Sequence, residues 1–245
     1  MKRHWERKSW NRQYKKGSKE NKTKRLRNKK LVKKYPWLKP FHVWSGKPIK
    51  DYDYTYINWG CMRGWDVAYG DMYMKELGEA VKNQPDFQIL EIKEKHGMHR
   101  VYTNGTTRET NDIIDKYEFI SQGICWKCGK PDVPIIDTGW IFPECLECFT
   151  KNIRNNEYSK YKDCSDEEIE KLYYDCAEEP NEDGAWTIPD MRKVRCWDDR
   201  YDEPYIVKYD ISDTLKAIRD RYKRRREHYE KRISRSRRSS QRPQG

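Results

Sequence analysis

The sequence predicts an α+β fold, a small helix-strand-strand-helix core that runs into a ribbon built on four cysteines, flanked by two basic arms of which the C-terminal one is partly helical. Three observations predict it. Apolar residues recur at three- and four-residue steps in two stretches on either side of a pair of short strand-like runs. Two C-x2-C pairs follow the second stretch. Lysine and arginine crowd the two ends. The 245 residues are 38% charged and 35% hydrophobic, with a mean hydropathy of -1.24, so part of the chain is expected to lack a core of its own. No run of about 18 apolar residues exists, which excludes a helical membrane span. The start, MKRHWERKSWNRQYKK, has no apolar stretch of the kind a secretory signal needs, so the chain is expected to stay inside a cell.

Residues 1–34 form the first arm, largely extended or disordered by expectation, with sixteen Lys or Arg against Glu6 and Glu20. A segment so dense in one sign repels itself when free, and nucleic acid is the commonest polyanion that neutralises it. Trp5, Trp10 and Tyr14 sit among Arg12, Lys15, Lys16, Lys24, Arg25 and Arg27. Rings beside cations suit unpaired bases better than a regular duplex, which favours RNA over DNA as the partner. The plainer alternative is a solubilising arm.

Residues 35–123 form the expected core. YPWLKPFHVWSGKP reads as packed but irregular, continued by Tyr52, Tyr54, Tyr56, Trp59 and Trp65. From Asp66 to Asn83, Tyr69, Met72, Tyr73, Leu77, Ala80 and Val81 keep helical spacing, and Pro85 ends it. Strands are expected over Phe87 to Lys93 and Met98 to Thr103, joined by a turn containing Gly97. Thr110 or Asn111 should cap a helix through Ile113, Ile114, Tyr117 and Ile120 that Gly123 stops.

Residues 124–155 hold Cys125, Cys128, Cys145 and Cys148, with sixteen residues between the pairs. Each C-x2-C turn puts two thiolates on one side of a knuckle, and two knuckles complete a tetrahedron around Zn²⁺. Val133 to Ile136 and Trp140 to Phe142 supply the hairpin of a zinc ribbon. Four protein ligands close the shell, so the metal is structural. Disulfides fit poorly in a chain without an export signal. A redox C-x-x-C would not require the second pair. The absence of His and Asn between the knuckles excludes an HNH nuclease. Cys61, Cys164, Cys176 and Cys196 are expected to be plain thiols. The alternative is a second site using the last three with one of His4, His42, His96, His99 or His228.

Residues 156–211 are acidic, with a capping box at Ser165 to Glu168 before Ile169, Leu172 and Tyr173. Asp175 to Asp210 shows no clear period, and the run holding Pro180, Gly184 and Pro189 reads as loop. Residues 212–245 form the second arm, in which 214–245 carry thirteen Lys or Arg against Asp220, Glu227 and Glu230. Ser212 or Asp213 should cap a helix through Leu215, Ile218 and Tyr222, followed by an Arg-Ser tail. Here Lys223, Arg224, Arg225, Arg226, Arg235, Arg237 and Arg238 are the candidate phosphate contacts.

Support for catalysis is slight. Asp86, Glu91 and Lys93 have the form of a metal-dependent nuclease set, but among 40 acids such a match arises easily. His96 and His99 straddle Gly97 without a third ligand and read as turn residues. The expectation is a protein that is not an enzyme.

The segment from Tyr35 to about Cys148 resembles a family of uncharacterised bacteriophage and prophage zinc-ribbon proteins, mostly of low-GC Gram-positive hosts. The blocks that carry the resemblance are KKYPWLKPFHVWSGK, DYDYTYINW, RGWDVAYGDMYMKEL, ILEIKEKHGMHRVYTNG, IIDKYEFISQGICWKCGKP and TGWIFPECLEC. Lys93, Glu94, Lys95 and Arg100 match the family pattern, which makes the core positions Lys93, Lys95 and Arg100 the first to test for a shared function. Asp66, Val67, Tyr69, His96, Met98 and Val101 depart from it, and Glu91 stands where Gln is common. The resemblance implies the cytoplasm of a bacterial host. Two functional expectations follow: a zinc-stabilised nucleic-acid-binding protein, or a host-takeover protein that docks on a host protein or ribonucleoprotein complex such as a polymerase, a ribosome or a CRISPR effector.

Overall fold

The computed structural model describes residues 29–39, 63–157, 159–177, 191–196 and 205–240, with backbone alone over 191–196, 205–210 and 237–240. Trp5, Trp10, Arg12, Tyr14, Lys15, Lys16, Lys24, Arg25, Arg27, the tyrosines from Tyr52 to Tyr56, Trp59, Cys61 and the loop around Gly184 lie outside the described residues. The described chain is α+β, with helices beside small two-stranded sheets. It divides into two compact units. The first comprises 29–39, Met72–Lys95 and His99–Ile114, and the second Arg63–Asp71, His96–Met98 and 115–240.

In the first unit, residues 29–34 are helical and Pro36 opens a 3₁₀ turn over Pro36–Leu38, where its fixed φ and missing N–H cost nothing. Trp37 meets Phe87 edge-on at 5.9 Å, and its indole lies where Gly78 has no side chain. Helix α1 is Asp71–Ala80, with Tyr73, Met74 and Leu77 buried at helical steps. Strands β1 (Gln88–Lys95) and β2 (Met98–Asn104) form a hairpin, and His96 and Gly97 both take the positive φ of a type I′ turn. Ile89, Ile92 and His99 are buried. Helix α2, Arg108–Ser121, begins earlier than the sequence predicts. Thr107 and Thr110 exchange backbone-to-hydroxyl bonds of 2.8 and 3.4 Å, so Thr107 caps the helix and Thr110 is its third residue, reaching back.

The second unit contains the helical segment Arg63–Trp65 and a π turn over Asp66–Gly70. The Trp65 indole donates to the Ile124 carbonyl at 2.9 Å, and Tyr69 packs on Tyr117 at 5.3 Å. Strands β3 (Ile135–Asp137) and β4 (Ile141–Pro143) pair antiparallel with Ile136 opposite Phe142. Trp140, expected to open the second strand, sits in the turn instead. Helix α3 is Leu146–Asn155, an element without a sequence expectation. Helix α4, Asp166–Asp175, carries the expected capping box, with Ser165 and Glu168 each accepting from the other's backbone N–H. Ile136, Phe149, Ile169 and Tyr173 form the core that joins the β3–β4 hairpin to α3 and α4.

Where the sequence shows no period, Met191–Cys196 (β5) and Tyr205–Asp210 (β6) pair as a third hairpin, with Val194 opposite Val207. Helix α5, Ser212–Ser240, extends 29 residues, well past the expected boundary. Among its described side chains those buried lie in the first turns, Leu215 and Ile218, behind Ile211. The rest of the helix draws on Arg, Lys and Glu, which are good helix formers, and on the i,i+4 pair Arg226–Glu230 at 3.8 Å.

Candidate metal centre and its basic helix

Cys125 and Cys128 occupy the loop after α2, Cys145 precedes the first residue of α3, and Cys148 lies in its first turn. The loop closes on itself through Gly129 N–H to Cys125 O at 2.8 Å and Cys125 N–H to Lys130 O at 2.8 Å. Trp126 N–H to Pro143 O at 3.0 Å ties it to β4. Gly129 has φ of +76°, a conformation that costs other residues steric strain. Gly64 donates to Trp126 O at 2.8 Å, and a Cβ on it would stand 2.1 Å from Cys125 O. The approach of backbone to backbone here requires glycine.

The four sulfurs lie within 4.8 Å of one another, with Cys128 Sγ 3.6 Å from Cys145 Sγ. A tetrahedral ion with M–S bonds of about 2.3 Å places its sulfurs about 3.8 Å apart, so the observed set fits a four-thiolate metal site. Cys125 and Cys145 are buried and the other two half-buried. Hydrogen bonds from the other three thiols hold Cys125 far below the ordinary thiol range. The same couplings push Cys145 and Cys148 far above it. Cys128 is held below the ordinary range as well, so two thiolates form readily and oppose a third and fourth, which is the charge problem a divalent cation resolves. Among the described residues this is the one group of three or more His, Cys, Asp or Glu side chains close enough to share an ion.

Helix α5 is anchored around this cluster. Arg219 makes a bidentate pair with Asp132, between the two cysteine pairs, at 2.9 and 3.0 Å. Arg225 donates to the Cys128 carbonyl at 3.4 Å, and Arg226 reaches Glu147, between Cys145 and Cys148, at 3.5 Å. Arg221 holds both oxygens of Asp71. Of the candidate phosphate contacts, Arg225 and Arg226, though exposed, bond to the cysteine loops, while Lys223, Arg224 and Arg235 are exposed without such a bond. The side chains of Arg237 and Arg238 lie outside the described residues.

The remaining sequence candidates fall elsewhere. Lys93 pairs with Glu91 at 2.5 Å and sits 4.7 Å from the centre of the Tyr102 ring. Lys95 is exposed and Arg100 half-buried on the same hairpin. Asp86 and Glu91 join no third ligand among the described residues. The two histidines separate: His96 is exposed in the turn, whereas His99, read from sequence as a turn residue, is fully buried with Tyr73 edge-on at 5.5 Å. Burial lowers the His99 pKa to about 3, so it is a neutral core residue. Cys164 and Cys176 flank opposite ends of α4, which ten residues make about 15 Å long, so they do not share an ion. The Cys196 side chain lies outside the described residues. Trp140, 76% exposed, is the surface residue that sequence reasoning missed. The Asp137 to Gly139 turn signal before it could have marked it as a hairpin tip.

No protein-family model, curated protein or solved structure matches the chain. No helix among the described residues is long and apolar enough to cross a membrane.

Proposed function

We propose that this is a zinc-stabilised nucleic-acid-binding protein, with RNA favoured over DNA. The observation that carries the reading is the placement of α5. The body holds the helix by Arg219, Arg221, Arg225 and Arg226 and leaves Lys223, Arg224, Lys231, Arg232 and Arg235 exposed. The cysteine loops supply three of those four anchors. Zinc is the divalent ion best matched to four thiolates without vacant positions, and its role here is to fix both loops in place. The N-terminal arm adds cations interleaved with stacking residues, which is the reason for favouring RNA. The resemblance of the sequence blocks to phage proteins is the reason for proposing a bacterial host cytoplasm as the setting.

A second reading, docking on a host protein or ribonucleoprotein complex, draws on Trp140. A tryptophan exposed at a hairpin tip is a strong interface anchor. Equilibrium binding to single-stranded RNA, single-stranded DNA and duplex DNA tests the first reading, which predicts tightest binding to RNA. Retention of host proteins after nuclease treatment, lost in Trp140→Ala, is the outcome that favours the second.

A further inference from the structure

The exposed part of α5 is not evenly basic. Arg224, His228, Lys231 and Arg235 follow one another at i, i+4, i+7 and i+11, which puts them on a single face of the helix. Arg232 borders that face. All five are exposed, and among the described residues Arg224, Lys231, Arg232 and Arg235 form no ion pair. Glu227, Glu230 and Ser234 line one flank, and Tyr229, itself 55% exposed, and Ile233 lie on the side of Leu215, Ile218 and Tyr222, outside the row from Arg224 to Arg235. The stripe therefore carries cations and a histidine donor but no aromatic ring.

From Arg224 to Arg235 the stripe spans about 16 Å at 1.5 Å per residue. A rigid, straight row of cations of that length matches a regular run of phosphates. A strand with splayed bases asks instead for stacking rings beside the charges, as in the N-terminal arm. Arg219, Arg221 and Arg226 are excluded from the row because Asp132, Asp71 and Glu147 already neutralise them. We propose that the face formed by Arg224, His228, Lys231, Arg232 and Arg235 binds the phosphate backbone of a base-paired nucleic-acid stem. The proposal rests on the nucleic-acid reading above and assigns it a face, a set of residues and a duplex rather than single-stranded substrate.

The test uses the full chain with its metal retained and two RNA probes of equal length, a hairpin with a regular stem and an unstructured strand. Lys231→Gln/Arg235→Gln removes two charges from the stripe. Lys216→Gln/Lys223→Gln removes two exposed charges from a different face of the same helix, and glutamine keeps the helix propensity in both. The stripe variant is expected to weaken hairpin binding and to reduce the log-log salt slope by about 2, leaving binding to the unstructured strand unchanged. The control variant should keep the hairpin slope. Equal losses in the two variants, or equal losses on the two probes, would overturn the proposal while leaving nucleic-acid binding intact. If the unaltered protein binds neither RNA, it is the underlying functional reading that fails.

Discussion

At the scale of single residues, the cysteines, one glycine and one histidine bear most of the consequences. Each thiolate of a closed four-sulfur shell is needed, because a three-ligand site admits water and loses the tetrahedral constraint. On the zinc reading, Cys145→Ser is expected to leave only a small fraction of the metal bound by the unaltered chain, measured by elemental analysis, and to lower the chain's thermal stability. Gly64→Ala places a methyl group against the Cys125 carbonyl and should cost more than about 2 kcal/mol, read from the urea midpoint. His99 is held neutral in the fold at pH values where the unfolded chain binds a proton. Stability then rises with pH between about 3 and 6.5 and is lost on acidification through that window, by at most about 1.4 kcal/mol per pH unit. His99→Leu should flatten that part of the profile, and an unchanged slope between pH 6.5 and 4.5 would show that other groups set it.

Among the elements, helix α5 links the candidate metal centre to the exposed basic surface. Three of its four anchors bond to Asp132, the Cys128 carbonyl and Glu147, all within the cysteine segment. Loss of the metal should therefore loosen the helix as well as the loops. Hydrogen exchange is expected to speed up in the first turns of α5 on chelation under reducing conditions. Asp132→Asn should produce a smaller change in the same amides, because that pair is partly exposed and worth about 1 kcal/mol. The elements legible in the sequence were those with strong local signals: the period of α1 and α2, the turn between β1 and β2, the capping box of α4 and the cysteine spacing. The β5–β6 hairpin was not, since MRKVRC and YIVKYD are short and flanked by acids, with no turn dipeptide between them. Helix α3 was hidden because its start is a metal-ligand candidate, Cys145, rather than a capping residue.

For the whole molecule, the sequence separates a neutral-to-acidic body from two basic ends, and that division suffices to suggest a polyanion partner. It does not show which bases are spent on the body. Arg219, Arg221, Arg225 and Arg226 resemble their neighbours in a run of cations, and their partners Asp71, Asp132 and Glu147 lie at least 79 residues away in the chain. Such pairings depend on tertiary placement that no local pattern encodes. The same holds for His99, which follows the His96–Gly97 turn as the second residue of β2 while its side chain enters the core. The most direct measurement is the salt dependence of RNA binding by the full chain with zinc bound. The account predicts a steep linear fall, about 10³-fold or more between 50 and 200 mM salt if six or more phosphates are neutralised. Binding that is absent, or that does not change with salt, would contradict it.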